Sequence, residues 1–181
     1  MDYNRVMNNS GKINPCKPGF GASCSFCCGS HNFMLPPEEI ENILAERNIN
    51  AGLRKNLNQK DFSFKKICDD TLQCPHMGMV EPGIIGCLAY NDADFNSEFQ
   101  EFFNSVCKEY YCAACKELTD RQILFAAELM HDWYYYSLLI YNIDILLDLY
   151  AEHQIPGDVP DDILESVKAE LEQKLLDEDM I

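Results

Sequence analysis

Three thiols sit within five residues at Cys24-Ser25-Phe26-Cys27-Cys28, Cys16 lies shortly upstream, and the chain holds ten cysteines in all. A Cys-x-x-Cys spacing lets two sulfurs converge on one point, because the two intervening residues turn the backbone back on itself. Gly19, Gly21 and Gly29 flank the stretch and suit a tight loop. Cys28 is harder to place on the same ion as Cys27, since adjacent side chains on a strand or helix diverge. It belongs either to a larger object, such as a cluster, or to a second metal. Free cysteines also serve as small buried hydrophobes. Three thiols this close argue instead for a thiolate metal site.

The remaining thiols fall into two later stretches. Cys74-Pro75-His76-Met77-Gly78 is followed by Glu81-Pro82-Gly83 and then by the apolar run Ile84-Ile85-Gly86-Cys87-Leu88-Ala89-Tyr90. Pro-Gly is a strong turn signal, so a hairpin is expected that brings Cys74 and Cys87 near each other. Cys107 and Cys112 come next, followed by Cys115. On one continuous helix Cys107 and Cys112 would point roughly 140° apart, so a shared metal requires the helix to end there. Cys112 and Cys115 can share a face. Cys68 has no evident partner and reads as structural. His31 ends the cysteine loop and reads as a surface or hydrogen-bonding residue rather than a ligand. His131 and Asp132 read as solvated or core-satisfied rather than catalytic.

Several elements are expected to position these residues. Residues 1–15 lack periodicity and read as an arm or loop. Pro36 and Pro37 open a helix, Glu38 and Glu39 favour its positive end, and Ile40, Ile43, Leu44 and Arg47 follow helical spacing. A second short helix is expected over Ala51 to Leu57, and apolar alternation suggests a strand over Phe62 to Ile67. Ser97 with Gln100 starts a further helix whose face includes Phe99, Phe102, Phe103, Val106 and Tyr110. Thr119 and Gln122 form another capping box, opening a helix that the apolar stripe carries to about His153. Pro160 starts the last helix, expected to pair antiparallel with its predecessor. The fold class is therefore mainly α: a helical bundle with a cysteine-rich metal-binding loop and a small β-hairpin. Residues 1–118 form the cysteine-rich region and 119–181 a helical scaffold packed on it, together one compact domain.

Charge is lopsided. Residues 1–66 carry nine Lys/Arg against six Asp/Glu, and residues 67–181 five against twenty-four, for −16 overall. An acidic body repels phosphate backbones, so nucleic-acid binding is disfavoured. The opening residues are polar and show no secretory signal. The apolar region from Trp133 to Tyr150 is interrupted by Asn142, Asp144 and Asp148 and makes a poor membrane span. A soluble cytoplasmic protein without a membrane partner is the expectation, and in that reducing setting ten cysteines favour metal over disulfides.

Cys24-x-x-Cys27-Cys28, the Pro-Glu-Glu helix start, Cys74-Pro75 and Cys87-Leu88-Ala89-Tyr90 together resemble the CxxCxxCC family of zinc- or iron-chelating domains. Cys107 and Cys112 match the spacing of that family's Cys-Arg-x-x-x-Cys element, with Lys108 in place of the arginine. The resemblance covers about residues 16–115 and implies Cys16, Cys24, Cys27, Cys28, Cys74, Cys87, Cys107 and Cys112 as metal-site residues. It extends to a region of flagellin lysine N-methylases, which implies an alternative: an enzyme, or enzyme subunit, that modifies a protein partner. No glycine-rich nucleotide loop and no C-x-x-x-C-x-x-C radical signature accompanies it.

The cofactor is expected to be an iron–sulfur cluster (4Fe-4S) or zinc. Adjacent Cys27 and Cys28 fit awkwardly around one ion at zinc–sulfur distances of about 2.3 Å. A 4Fe-4S core spreads its attachment points more widely. Two zinc ions, with Cys27 and Cys28 on different ones, account for the thiol count equally well. Cys24, Cys27, Cys74 and Cys87 are expected as the strongest set, a loop pair joined to a hairpin pair.

Overall fold

The computed structural model describes residues 11–31, 35–54, 73–88, 107 and 112–177. Its helices are α1 (Pro37–Arg54), α2 (Ala113–Glu117), α3 (Asp120–Met130), α4 (Tyr134–Tyr141), α5 (Ile143–His153) and α6 (Asp161–Asp177). The strands are β1 (Met77–Glu81) and β2 (Ile84–Cys87), and short 3-10 turns lie at Phe26–Cys28 and Pro156–Asp158. The chain is mainly helical with one small antiparallel hairpin, as expected. No described helix is long and apolar enough to cross a membrane.

Short, apolar α4 is the hub. Tyr136, Ser137, Leu138, Leu139 and Ile140 are all buried, so the helix has almost no polar face. It can be buried on so many sides because it packs against α2, α3, α5 and α6 and against the Phe26–Cys28 turn. The sequence stripe from Ile123 to Leu149 suggested one long helix, and here the expectation is corrected. The stripe is cut twice. His131 takes a left-handed conformation (φ 55°) and closes α3 through its N–H to the Ala127 carbonyl. The Asp132 carboxylate then accepts the Tyr135 N–H at 2.7 Å and opens α4. At the second cut, Asn142 Nδ2 donates to the Leu138 carbonyl at 2.9 Å, competing with the helical ladder. Each break lets the chain fold back while the apolar stripe stays in step. The capping box at Thr119 and Gln122 is present with both of its bonds.

Two hydrophobic cores result. The larger joins Ile13, Ala22, Ala114 and Leu118 to the inner faces of α3–α6, so it crosses the position expected to divide the chain at 118. The smaller consists of Ile40, Leu44, Met77, Ile85 and Trp133, with α1 lying on the hairpin. Burying an Ile or Leu side chain of this kind stabilises by about 1.5–3 kcal/mol. Tyr134 packs against both cores and joins them.

The hairpin register pairs Met77 with Cys87, Gly78 with Gly86 and Met79 with Ile85, with a bulge before Glu81 meets Ile84 across the Pro82-Gly83 turn. Gly78 sits where the Leu88 side chain and the α1 backbone both come close. A Cβ there would stand 3.3 Å from the Leu44 carbonyl oxygen and 2.6 Å from a Leu88 methyl. Helix α1 runs unbroken to Arg54, so the short second helix expected from Ala51 is its last turn. The strand expected over residues 62–67, the helix from Ser97 and the role of Cys68 lie outside the described residues.

Candidate metal centre

The cysteine loop is an irregular segment docked on α4 by polar contacts. Ser137 Oγ accepts the Ser25 N–H at 3.2 Å and donates to the Ser23 carbonyl at 3.3 Å. Tyr136 OH donates to the Pro15 carbonyl at 2.9 Å, and the Ile13 N–H reaches Asp120 Oδ1 at 3.1 Å. His131 Nδ1 pairs with the Phe20 carbonyl at 3.0 Å, tying the loop to the end of α3. Residues 11–15 are thus a loop built into the body.

His31 closes the loop as a buried anchor. Its ring pairs with Ser30 Oγ at 2.7 Å and the Tyr134 carbonyl at 3.2 Å, and it stacks between Phe26 and Tyr134. Burial pushes its pKa from 6.5 down to about 3, against a smaller opposing effect of the Tyr134 hydrogen bond. The folded state therefore holds His31 neutral while the unfolded chain protonates it below 6.5. The stability from this neutral burial is complete above pH 6.5 and is lost as pH falls from there toward 3, by about 1.4 kcal/mol per pH unit. We predict that the stability difference between wild type and His31→Phe narrows at that rate below pH 6.5 in urea titrations. A difference independent of pH would contradict it.

Four separate stretches of chain bring their thiols to this loop. The Cys24 N–H donates to the Cys16 carbonyl at 3.2 Å, and the Cys74 N–H to the Cys28 carbonyl at 2.9 Å. The second bond ties the hairpin segment directly to the loop. Cys28 interacts electrostatically with both Cys27 and Cys74, which raises its own pKa and lowers theirs. The tight turn, closed by left-handed Gly29 (φ 88°), brings together adjacent thiols that a helix or strand would splay. Cys112 caps α2, and its sulfur lies 3.8 Å from that of Cys115. Cys107 is exposed, with its sulfur in electrostatic reach of Cys74 and Cys27. Cys87 is half-buried on β2, in reach of Cys16. Cys115, left without a role by the sequence, stands with Cys112.

Electrostatics differ sharply across the group. Burial, opposed by hydrogen bonds from the Phe26 backbone and Ser137, pushes Cys24 up to about 12. Burial and the surrounding thiols also raise Cys16 well above the usual thiol range, although much of its residue surface faces solvent. Cys74 is drawn down to about 6, first by the Cys28 hydrogen bond, then by the backbone of His76 and Met77 and by the Arg47 guanidinium. Cys112 is drawn down to about 6 by Cys115 and by amides of α2, so Cys115 keeps the proton of that pair. Arg47 is fully buried, donating to the carbonyls of Met77 (3.2 Å) and Cys74 (3.5 Å) and to Gln73 Oε1 (2.9 Å). Sequence reasoning placed it on the helix but gave it no role at the thiols. The signal was an arginine on the apolar face of α1, seven residues after Ile40 and three after Leu44.

The donor set fits a thiophilic metal. Cys16, Cys24, Cys27, Cys28, Cys74, Cys87, Cys107, Cys112 and Cys115 are all free thiols. Ser25 Oγ is buried without a hydrogen-bond partner among the described residues, and its hydroxyl can donate to a metal-bound sulfur. As they stand, no three or more Cys, His, Asp or Glu side chains among the described residues are drawn tightly enough to hold an ion. The thiols share a neighbourhood without closing on one point. Set against protein-family models, curated proteins and solved structures, the chain matches none.

Proposed function

We propose that this protein binds metal through its cysteine thiolates, as an iron–sulfur cluster or zinc, in a structural or electron-carrying role. One observation carries the reading: free thiols from loop, hairpin and α2 gather where the two cores meet. Burial leaves several of these thiols unwilling to ionise alone, and a bound cation would reverse that preference. Exposed surface at Cys16, Cys27 and Cys107 leaves a route for metal to reach the group. Arg47 supplies positive charge next to Cys74, which partly offsets the negative charge of a four-thiolate centre, about −2 for zinc or a 4Fe-4S core.

The test is anaerobic purification followed by metal analysis and an absorption spectrum. A cluster gives brown protein absorbing broadly near about 400 nm and bleaching in air, whereas zinc gives colourless, air-stable protein. Metal-free protein that takes up neither iron nor zinc would sink the proposal.

A further inference from the structure

Cys112-Ala113-Ala114-Cys115 repeats the Cys-x-x-Cys spacing at the start of α2. Its two sulfurs stand 3.8 Å apart, where extended Cys112 (φ −66°, ψ 170°) leads into the helix. The fold holds them in place from behind. Cys112 packs against the larger core, Ala114 is buried in it, and the Leu118 N–H bonds the Ala114 carbonyl at 3.1 Å. On the outer side Ala113 and Lys116 are exposed, and both cysteines are partly exposed free thiols. No group of three or more Cys, His, Asp or Glu side chains among the described residues closes around this pair to hold an ion. Two sulfurs are enough for a different chemistry, thiol–disulfide exchange.

We infer that Cys112 and Cys115 are an exchange-active dithiol, which reduces small disulfides of the glutathione class and is itself oxidised to a Cys112–Cys115 disulfide. One sulfur of the pair, as thiolate, attacks a sulfur of the substrate disulfide. The substrate S–S bond breaks, and one thiolate leaves and takes a proton from water. The second sulfur gives its proton to water and attacks the mixed disulfide, forming the Cys112–Cys115 bond and expelling the other substrate thiolate. The pair thereby loses two electrons and two protons, and the substrate gains both and departs as two thiols. A disulfide bond is about 2.05 Å long, so the sulfurs close on each other by a little under about 2 Å, a displacement that side-chain rotation supplies.

The bond should be as easy to open as to form. It closes a ring of only four residues, Cys112 to Cys115, and a ring that short gains little from loop entropy. An exposed bridge of this kind is of the labile class and not the structural one. The inference goes beyond metal binding and needs no ion, and a metal held by either sulfur would block it.

The full-length chain is purified anaerobically and treated with one equivalent of oxidised glutathione, as purified and again after chelation. Remaining thiols are alkylated, and the new disulfide is located by peptide mass spectrometry. The expected first product in the chelated chain is the Cys112–Cys115 disulfide, with two reduced glutathiones released per chain and full reversal by excess reduced glutathione. A variant carrying both Cys112→Ser and Cys115→Ser, its folding checked by urea titration, should react at least about tenfold more slowly. Because that variant can fail to fold, the mapped product in wild type decides. Cys112 and Cys115 recovered alkylated while other cysteines have paired would overturn the inference, and so would a bridge that excess reduced glutathione does not reopen. Reaction only after chelation shows exchange together with a metal on the pair. Protein that binds neither iron nor zinc yet forms this disulfide sinks the metal proposal alone.

Discussion

Replacing Arg47 by methionine is expected to destabilise the protein by about 3–5 kcal/mol, a large share of a typical domain's stability. The guanidinium is fully buried and bonds two carbonyls and one side-chain amide oxygen across the junction of α1 with residues 73–77. Methionine reproduces only the apolar stem and donates nothing, so those acceptors lose charge-assisted bonds worth about 1.5–3 kcal/mol each before relaxation. The urea midpoint should fall by roughly 1.5–2 M. Arg47→Lys should recover part of the loss, because an ammonium keeps the charge but cannot fork toward all three acceptors. A second consequence is electrostatic. Without the cation, the Cys74 thiol should titrate higher than about 6 in metal-free protein. Protons then compete more strongly with metal at neutral pH, so metal affinity in Arg47→Met should depend more steeply on pH between 6 and 8. Unchanged urea midpoints would show that this arginine does not hold the hairpin segment to α1.

Metal removal is expected to act unevenly over the chain. Structural thiolate zinc sites bind with an apparent free energy of about 10–16 kcal/mol, comparable with the total stability of a domain. That energy is felt where the thiols sit. Amides that link cysteine segments, those of Cys24 and Cys74, should exchange with solvent at least about a hundredfold faster after chelation. Amides of α3, α4 and α5 should change much less, since their protection comes from the larger core. The Ser25 amide, bound to Ser137 Oγ, should fall between the two, because that bond anchors the loop without metal. Hydrogen exchange read by mass spectrometry after anaerobic chelation measures all three. Uniform protection in both states would separate the thiols from the fold.

Legibility followed the kind of signal each element carries. The start of α1, the capping box at Thr119 and the Pro82-Gly83 turn are local chemistry, and all three appear in the structure. The breaks at His131 and Asn142 were hidden because neither uses glycine or proline. An asparagine bonding back to Leu138 competes with the helix invisibly in an apolar pattern. The docking of residues 11–31 was equally hidden, since serine hydroxyls and main-chain carbonyls have no periodicity to read. The thiols themselves were plain, yet which core Cys24, Cys28, Cys74 and Cys112 pack against was not, because that is decided by tertiary contacts.

The bond between Ser25 and Ser137 joins residues 112 positions apart. A ribosome adding about 5–20 residues per second emits the cysteine loop roughly ten seconds before the helix that seats it. Throughout that interval Cys24, Cys27 and Cys28 hang on a growing chain with neither docking surface nor distant partners. The group of thiols is not complete until Cys107, Cys112 and then Cys115 have emerged. Connectivity therefore makes assembly late relative to synthesis of the loop, with high contact order. The early thiols are exposed to oxidants and stray metals for the whole of the wait.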